Sequence, residues 1–275
     1  MASAGDVRES QRNRGHSDMF QDSYAEPIRT PLHHHDYTDV VDAEFTFAFQ
    51  PMVRMDSMEI LGHEALVRGL SGESAGSVLS AIRPENRFGF DQACRVRAIE
   101  TAQRKRVPGT LYLNCSFVES DSLESVVAAT RQSAEDCGID PRRIALEFNS
   151  FEQLGNARQL DAARRAVKAA GMRAVIDNLG SGEVGLKRLV AFRPDEIKLD
   201  RSLIAAIDRS PRRQAIVLGL VQTCRALDID VIATGIERRE ERDWLAGAGV
   251  ASGQGYLFGR PEFEPKAAIP AVAAA

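Results

Sequence analysis

Cysteine is scarce and scattered in this chain, and no two of its four residues are spaced as a CxxC pair. Cys94, Cys115, Cys137 and Cys224 therefore read as reduced, packed thiols of a cytoplasmic protein. No HExxH motif and no mixed Cys/His cluster is present, so no zinc-site pattern of that kind is found. Basic charge is not in excess either. A net charge of −4 and a pI near 5.8 argue against a general nucleic-acid binder, which needs a basic face to displace counterions. They leave room for a local basic pocket that grips a small phosphate ligand. No apolar run reaches the ~18 residues of a membrane span, and the first residues lack a signal-peptide pattern. The expectation is a cytoplasmic chain with no membrane segment and no direct nucleic-acid contact.

At 275 residues the chain is long enough for one large domain with a substantial core. Residues 1–43 are polar, mixed in charge and poor in periodic apolar residues. Such a segment buries too little surface to offset its ordering entropy and is expected to be a flexible arm. His33, His34 and His35 fall in it and read as part of a solvated tail, because neighbours in an extended chain point to opposite sides. From Glu44 to about 265, strand and helix signals alternate, and residues 266–275 form a short tail. FTFAFQP, EILGHEALV, TLYLNCS, RIALEFN, RAVID, DEIKLD and DVIATGIE read as strands, with a last short one reaching GQGYLFGRP. Helices are expected over Glu85–Arg106, Asp121–Asp136, Leu154–Ala170 (closed by Gly171), Pro211–Leu227 and Arg239–Ala246, with a short one ending near Phe192. Near-continuously apolar strands joined by helices are what a parallel sheet requires. About eight such units fit a (β/α)8 TIM-like barrel, with an open doubly wound sheet as the alternative.

Several of these strands end in a polar residue. In a barrel the strand ends form the site, so Asn114, Glu147, Asp177, Lys198, Asp200, Thr234 and Glu237 would gather there. Glu64, Asn114, Glu147 and Asp177 make an all-oxygen set suited to Mg²⁺ or Mn²⁺.

The string FAFQPMVRMDSMEILGHEALVR contains Glu64-Ala65-Leu66 and resembles the signature of the EAL-domain family, phosphodiesterases that linearise cyclic di-GMP. LYLNCS, IALEFNS, VIDNLGSG, DEIKLDRS, VIATGIE and QGYLFGRP resemble the family's later motifs, in family order, from about Phe45 to Pro261. The resemblance implies an eight-stranded barrel whose first strand runs antiparallel to the others. It implies Glu64, Asn114, Glu147 and Asp177 as ligands of a first metal, and Lys198 as the catalytic residue that orients or polarises the attacking water. Gln50, Arg68, Asp200, Glu237 and Gln254 would contact the dinucleotide, Arg68 gripping a phosphate with two donors.

Three departures from the family pattern bear on the chemistry. Asn178 replaces the second aspartate of a DDFG-type loop, Thr234 the first glutamate of an AEGVE-type strand, and Ser150 a glutamate that braces the catalytic loop. Leu179 replaces an aromatic, and Glu183 is inserted. Two-metal hydrolysis needs both ions, and neutral Asn178 and Thr234 leave the second site with Asp177 as its one charged ligand, so it is expected to be nearly empty. The expected protein is a degenerate EAL domain that has lost phosphodiesterase activity and regulates by binding cyclic di-GMP or a partner protein. The alternative is a weak metal-dependent phosphodiesterase producing pGpG on one ion. A homodimer is expected by analogy, and the run Arg238, Arg239 and Arg242 reads as a solvated face.

Overall fold

The computed structural model describes residues 44–116, 123–149, 157–180, 186–265 and 267–269. The expected arm with its three histidines, Ser150 and Glu183 lie outside the described residues. Eight strands close into a barrel in sequence order. They are β1 (Phe45–Arg54), β2 (Ile60–Gly69), β3 (Thr110–Cys115), β4 (Ile144–Phe148), β5 (Arg173–Leu179), β6 (Glu196–Leu199), β7 (Asp230–Ala233) and β8 (Ser252–Gln254). β1 pairs antiparallel with both β2 and β8, and every other pairing is parallel. The open doubly wound alternative is thereby excluded, and the inverted first strand is present.

The helices are α1 (Ala75–Ala81), α2 (Arg87–Arg104), α3 (Leu123–Asp136), α4 (Ala157–Ala169), α5 (Leu186–Phe192), α6 (Arg201–Ile204), α7 (Pro211–Ala226) and α8 (Arg239–Gly247). The short α1 carries no long apolar stripe and was not expected. It is started by Ser74, whose hydroxyl accepts from the Ser77 N–H at 3.2 Å. The helix expected from Glu85 begins as a 3-10 turn at Pro84–Asn86 before α2 takes over. The strand expected through DVIATGIE stops at Ala233. Gly235 turns the chain there at φ +72°, packed so closely that a Cβ would stand 2.7 Å from the Arg201 side chain.

Two cores divide the apolar residues. The larger lies between barrel and helices. The smaller fills the barrel interior with Met52, Tyr112, Ala145, Val175 and Ile232. Side chains alternate along a strand, so the residue two positions further on each strand faces the same interior. Those residues are Asn114, Glu147, Asp177 and Thr234, with Gln50 two positions the other way on the inverted β1. The polar strand ends are therefore the next layer of the barrel filling, at the end where barrel sites form. Among the described residues no helix is long and apolar enough to cross a membrane. Cys115 and Cys224 are buried, Cys94 and Cys137 half-buried, and all four are free thiols. Burial pushes the Cys115 thiol up to about 12 and Cys224 to about 11.

Candidate functional site at the C-terminal mouth of the barrel

Register brings the residues together. Gln50 pairs across from Glu64, and Asn114 from Glu147. Asp177 and Asn178 are neighbours that ordinary pleating would send to opposite faces. The β5–β6 register shifts between Ile176 and Leu179, and Asn178 takes a left-handed φ of +57°, which asparagine tolerates. The irregularity lets both side chains line one cleft of about 310 Å³, with Gln50, Glu64, Lys198, Thr234, Glu237 and Gln254.

Lys198 is the electrostatic centre. Its ammonium is fully buried and stands 2.8 Å from Glu64 Oε2, with Glu147 as a second ion-pair partner. Three carboxylates beside it push the lysine pKa up despite its burial. The two glutamates diverge. Burial alone would raise Glu64, but Lys198 outweighs it, helped by Gln254 Nε2 at 2.9 Å and Asn114 Nδ2 at 3.3 Å, so Glu64 lies below its ordinary value. Glu147 has no such donors. Burial and then the Glu64 charge hold it well above the usual carboxylate range. Burial likewise raises Asp177.

A hard cation fits this donor set in chemistry and charge. Glu147 Oε2 is buried with no hydrogen-bond partner among the described residues, and the raised carboxylates are ones an added positive charge would relieve. As arranged, no three Asp, Glu, His or Cys side chains among the described residues form a metal cage, and Lys198 stands paired with both Glu64 and Glu147. The neighbouring half of the mouth is weaker. Asn178 Nδ2 donates to Asp177 Oδ2 at 2.9 Å, and Thr234 Oγ1 donates to the Leu199 carbonyl at 2.8 Å. Neither brings an anionic oxygen.

Two expected ligand contacts stand apart from the cleft lining. Arg68 Nη1 donates to its neighbour's carbonyl, Val67 O, at 2.7 Å. Asp200 caps α6, accepting from the Ser202 N–H at 2.8 Å. Arg201 and Tyr256 line the cleft instead, and both sit inside motifs already noted, DEIKLDRS and QGYLFGRP. Arg201 pairs with Glu237 at 2.8 Å. Glu241 also escaped sequence reasoning. Its carboxylate accepts from the N–H groups of Ala206, Glu237 and Arg238 at 2.8, 3.0 and 3.2 Å, which pins the loop carrying Glu237. Gly255 packs so tightly that a Cβ would meet Ile236 O at 2.0 Å, which fixes Gln254 and Tyr256 at the rim. Behind the site, Asp91 and Arg95 form a buried ion pair on α2. Asp91 Oδ1 accepts from the Ser116 N–H at 3.1 Å, and Arg95 donates to Asn114 O at 3.3 Å, bracing the end of β3.

Residues 37–261 match the model of the EAL domain. The chain belongs to the EAL-domain family. Among solved EAL structures, the cyclic di-GMP-bound form of a standalone versatile EAL protein from Vibrio cholerae O395 is 34% identical. It superposes with a TM-score of 0.79, covering 86% of this chain and 99% of that one. The Klebsiella pneumoniae BlrP1 complex with manganese and cyclic di-GMP is 32% identical at a TM-score of 0.73, over 80% of this chain and 57% of that one. Among curated EAL relatives, the blue light- and temperature-regulated antirepressor BluF of Escherichia coli is 29% identical over 82% of this chain. This EAL chain spans 56% of BluF and 28% of an uncharacterized signaling protein of Caulobacter vibrioides, so it corresponds to part of those longer relatives.

Proposed function

We propose that this EAL domain binds cyclic di-GMP at the barrel mouth, holds one divalent cation there, and turns the ligand over slowly or not at all. The observation that carries the reading is the pair Asn178 and Thr234. Both line the cleft as neutral groups, Asn178 donating to its neighbour Asp177 and Thr234 to the Leu199 carbonyl at the end of β6. Glu64, Asn114, Glu147 and Asp177 would hold Mg²⁺ or Mn²⁺, which supplies charge for the ligand's phosphates and acidifies bound water. A second ion would depend on Asp177 as its one charged ligand. Lys198 orients Glu64 and Glu147, Gln50 and Gln254 frame the Glu64 side, and Glu237 is poised for a base edge on a loop that Glu241 holds. Cyclic di-GMP is the ligand bound in the Vibrio and Klebsiella relatives, which supports it here. Regulation through a partner protein is supported by the likeness to BluF, an antirepressor by name; a homodimer remains the default by analogy.

The second reading is a weak phosphodiesterase producing pGpG on one ion, favoured by the intact Lys198–Glu64–Glu147 centre. Calorimetry with cyclic di-GMP, with and without Mg²⁺, tests the binding claim. Saturable heat without product is the expected result. Absence of heat at high ligand concentration overturns the receptor reading and leaves the protein-partner one.

A further inference from the structure

Glu64, ionised beside Lys198, offers only acceptors. The Asn114 atom 3.3 Å from its Oε1 is therefore the amide nitrogen. Asn114 Oδ1 faces the other way and accepts from Asn149 Nδ2 at 2.6 Å. Oriented so, Asn114 cannot lend its oxygen to a cation held by Glu64. To do so its amide must turn over, which carries Nδ2 toward Asn149. A buried amide nitrogen arriving there needs an acceptor, because an unmatched donor is costly. Asn149 has one ready. Its Oδ1 is buried and lacks a hydrogen-bond partner among the described residues. Ser116 Oγ, 3.3 Å from Asn149 Nδ2, accommodates either arrangement, since a hydroxyl both donates and accepts.

We propose that Asn149 is a positioning residue for Asn114, the two amides turning over together. Without a cation Asn114 donates to Glu64 and accepts from Asn149. With a cation Asn114 presents Oδ1 to it and donates to Asn149 Oδ1. An amide at position 149 serves both states, whereas a carboxylate only accepts and an aliphatic side chain does neither. The proposal rests on the one-ion reading above.

The test follows the side-chain amide signals of Asn114 and Asn149 by NMR on the ¹⁵N-labelled full chain through a Mg²⁺ titration. Signals are assigned by their loss in Asn114→Asp and Asn149→Leu. Both sets are expected to move with one midpoint. Asn149→Leu is expected to weaken Mn²⁺ binding, read by electron paramagnetic resonance, about 10- to 100-fold. Asn149→Asp should place the Asn114 signals near their Mg²⁺-loaded positions before any Mg²⁺ is added. Movement of Asn114 signals while those of Asn149 stay still overturns the proposal. So does wild-type Mn²⁺ affinity in a folded Asn149→Leu protein. A wild-type chain that takes up no Mn²⁺ defeats the one-ion reading itself, and this proposal with it.

Discussion

Asn178 and Thr234 differ from aspartate and glutamate in charge, and Thr234 also in reach. Asn178→Asp keeps the left-handed backbone, which aspartate also tolerates. Thr234→Glu gives up one hydroxyl bond to Leu199 O and extends a carboxylate into the cleft. The double variant is expected to bind a second ion and recover part of the hydrolysis. Each single change should recover much less, because ligands of one ion are strongly non-additive. Lys198 carries a different weight. Lys198→Met leaves Glu64 and Glu147 buried without their cation, and should cost about 3–5 kcal/mol in denaturant unfolding in EDTA. A loss below about 1 kcal/mol would mean that the ion pairs contribute little.

The strand ends were legible because their physics is local. Near-continuous apolar runs closed by Asn114, Glu147 and Asp177 announce buried parallel strands that end on a polar residue, and closure of the barrel does the rest. Asn178 was legible as a missing charge but not as the bulge that turns it into the cleft, which depends on register with β6. The split between Glu64 and Glu147 was equally hidden, since it needs Lys198 between them and donors on one side only. Arg68 was expected to face the ligand, yet its guanidinium caps Val67 O, a rotamer choice no sequence pattern encodes. If ligand draws Arg68 into the cleft, Arg68→Ala should weaken cyclic di-GMP binding about tenfold or more. Unchanged affinity in calorimetry would leave the phosphates to Arg201.

Acidity couples the site to the stability of the whole barrel. Glu147 and Asp177 hold protons to higher pH in the fold than at their ordinary values of 4.5 and 3.8. A raised folded-state pKa gives stability that is present at low pH and lost as pH rises through the folded value. In EDTA the thermal midpoint should therefore rise as pH falls from above the folded-state values of these two groups toward their ordinary ones. Glu64, lowered, has the opposite sign, and its stability fades as pH falls through its folded value, below 4.5. Saturating Mg²⁺ should flatten the first trend, because the cation then does the proton's work. A flat profile in EDTA would show that Lys198 alone neutralises the cluster.

The central claim is that an EAL barrel with its first metal site intact has lost hydrolysis through missing charge at Asn178 and Thr234. Its most direct test is chromatographic measurement of pGpG from cyclic di-GMP in saturating Mg²⁺ or Mn²⁺, with wild type beside Asn178→Asp/Thr234→Glu. Wild type should give little or no pGpG and the double variant clearly more. Wild-type turnover of ~1 s⁻¹ or above, within the ordinary enzyme range, would contradict the account. So would a double variant that binds a second ion tightly yet makes no product.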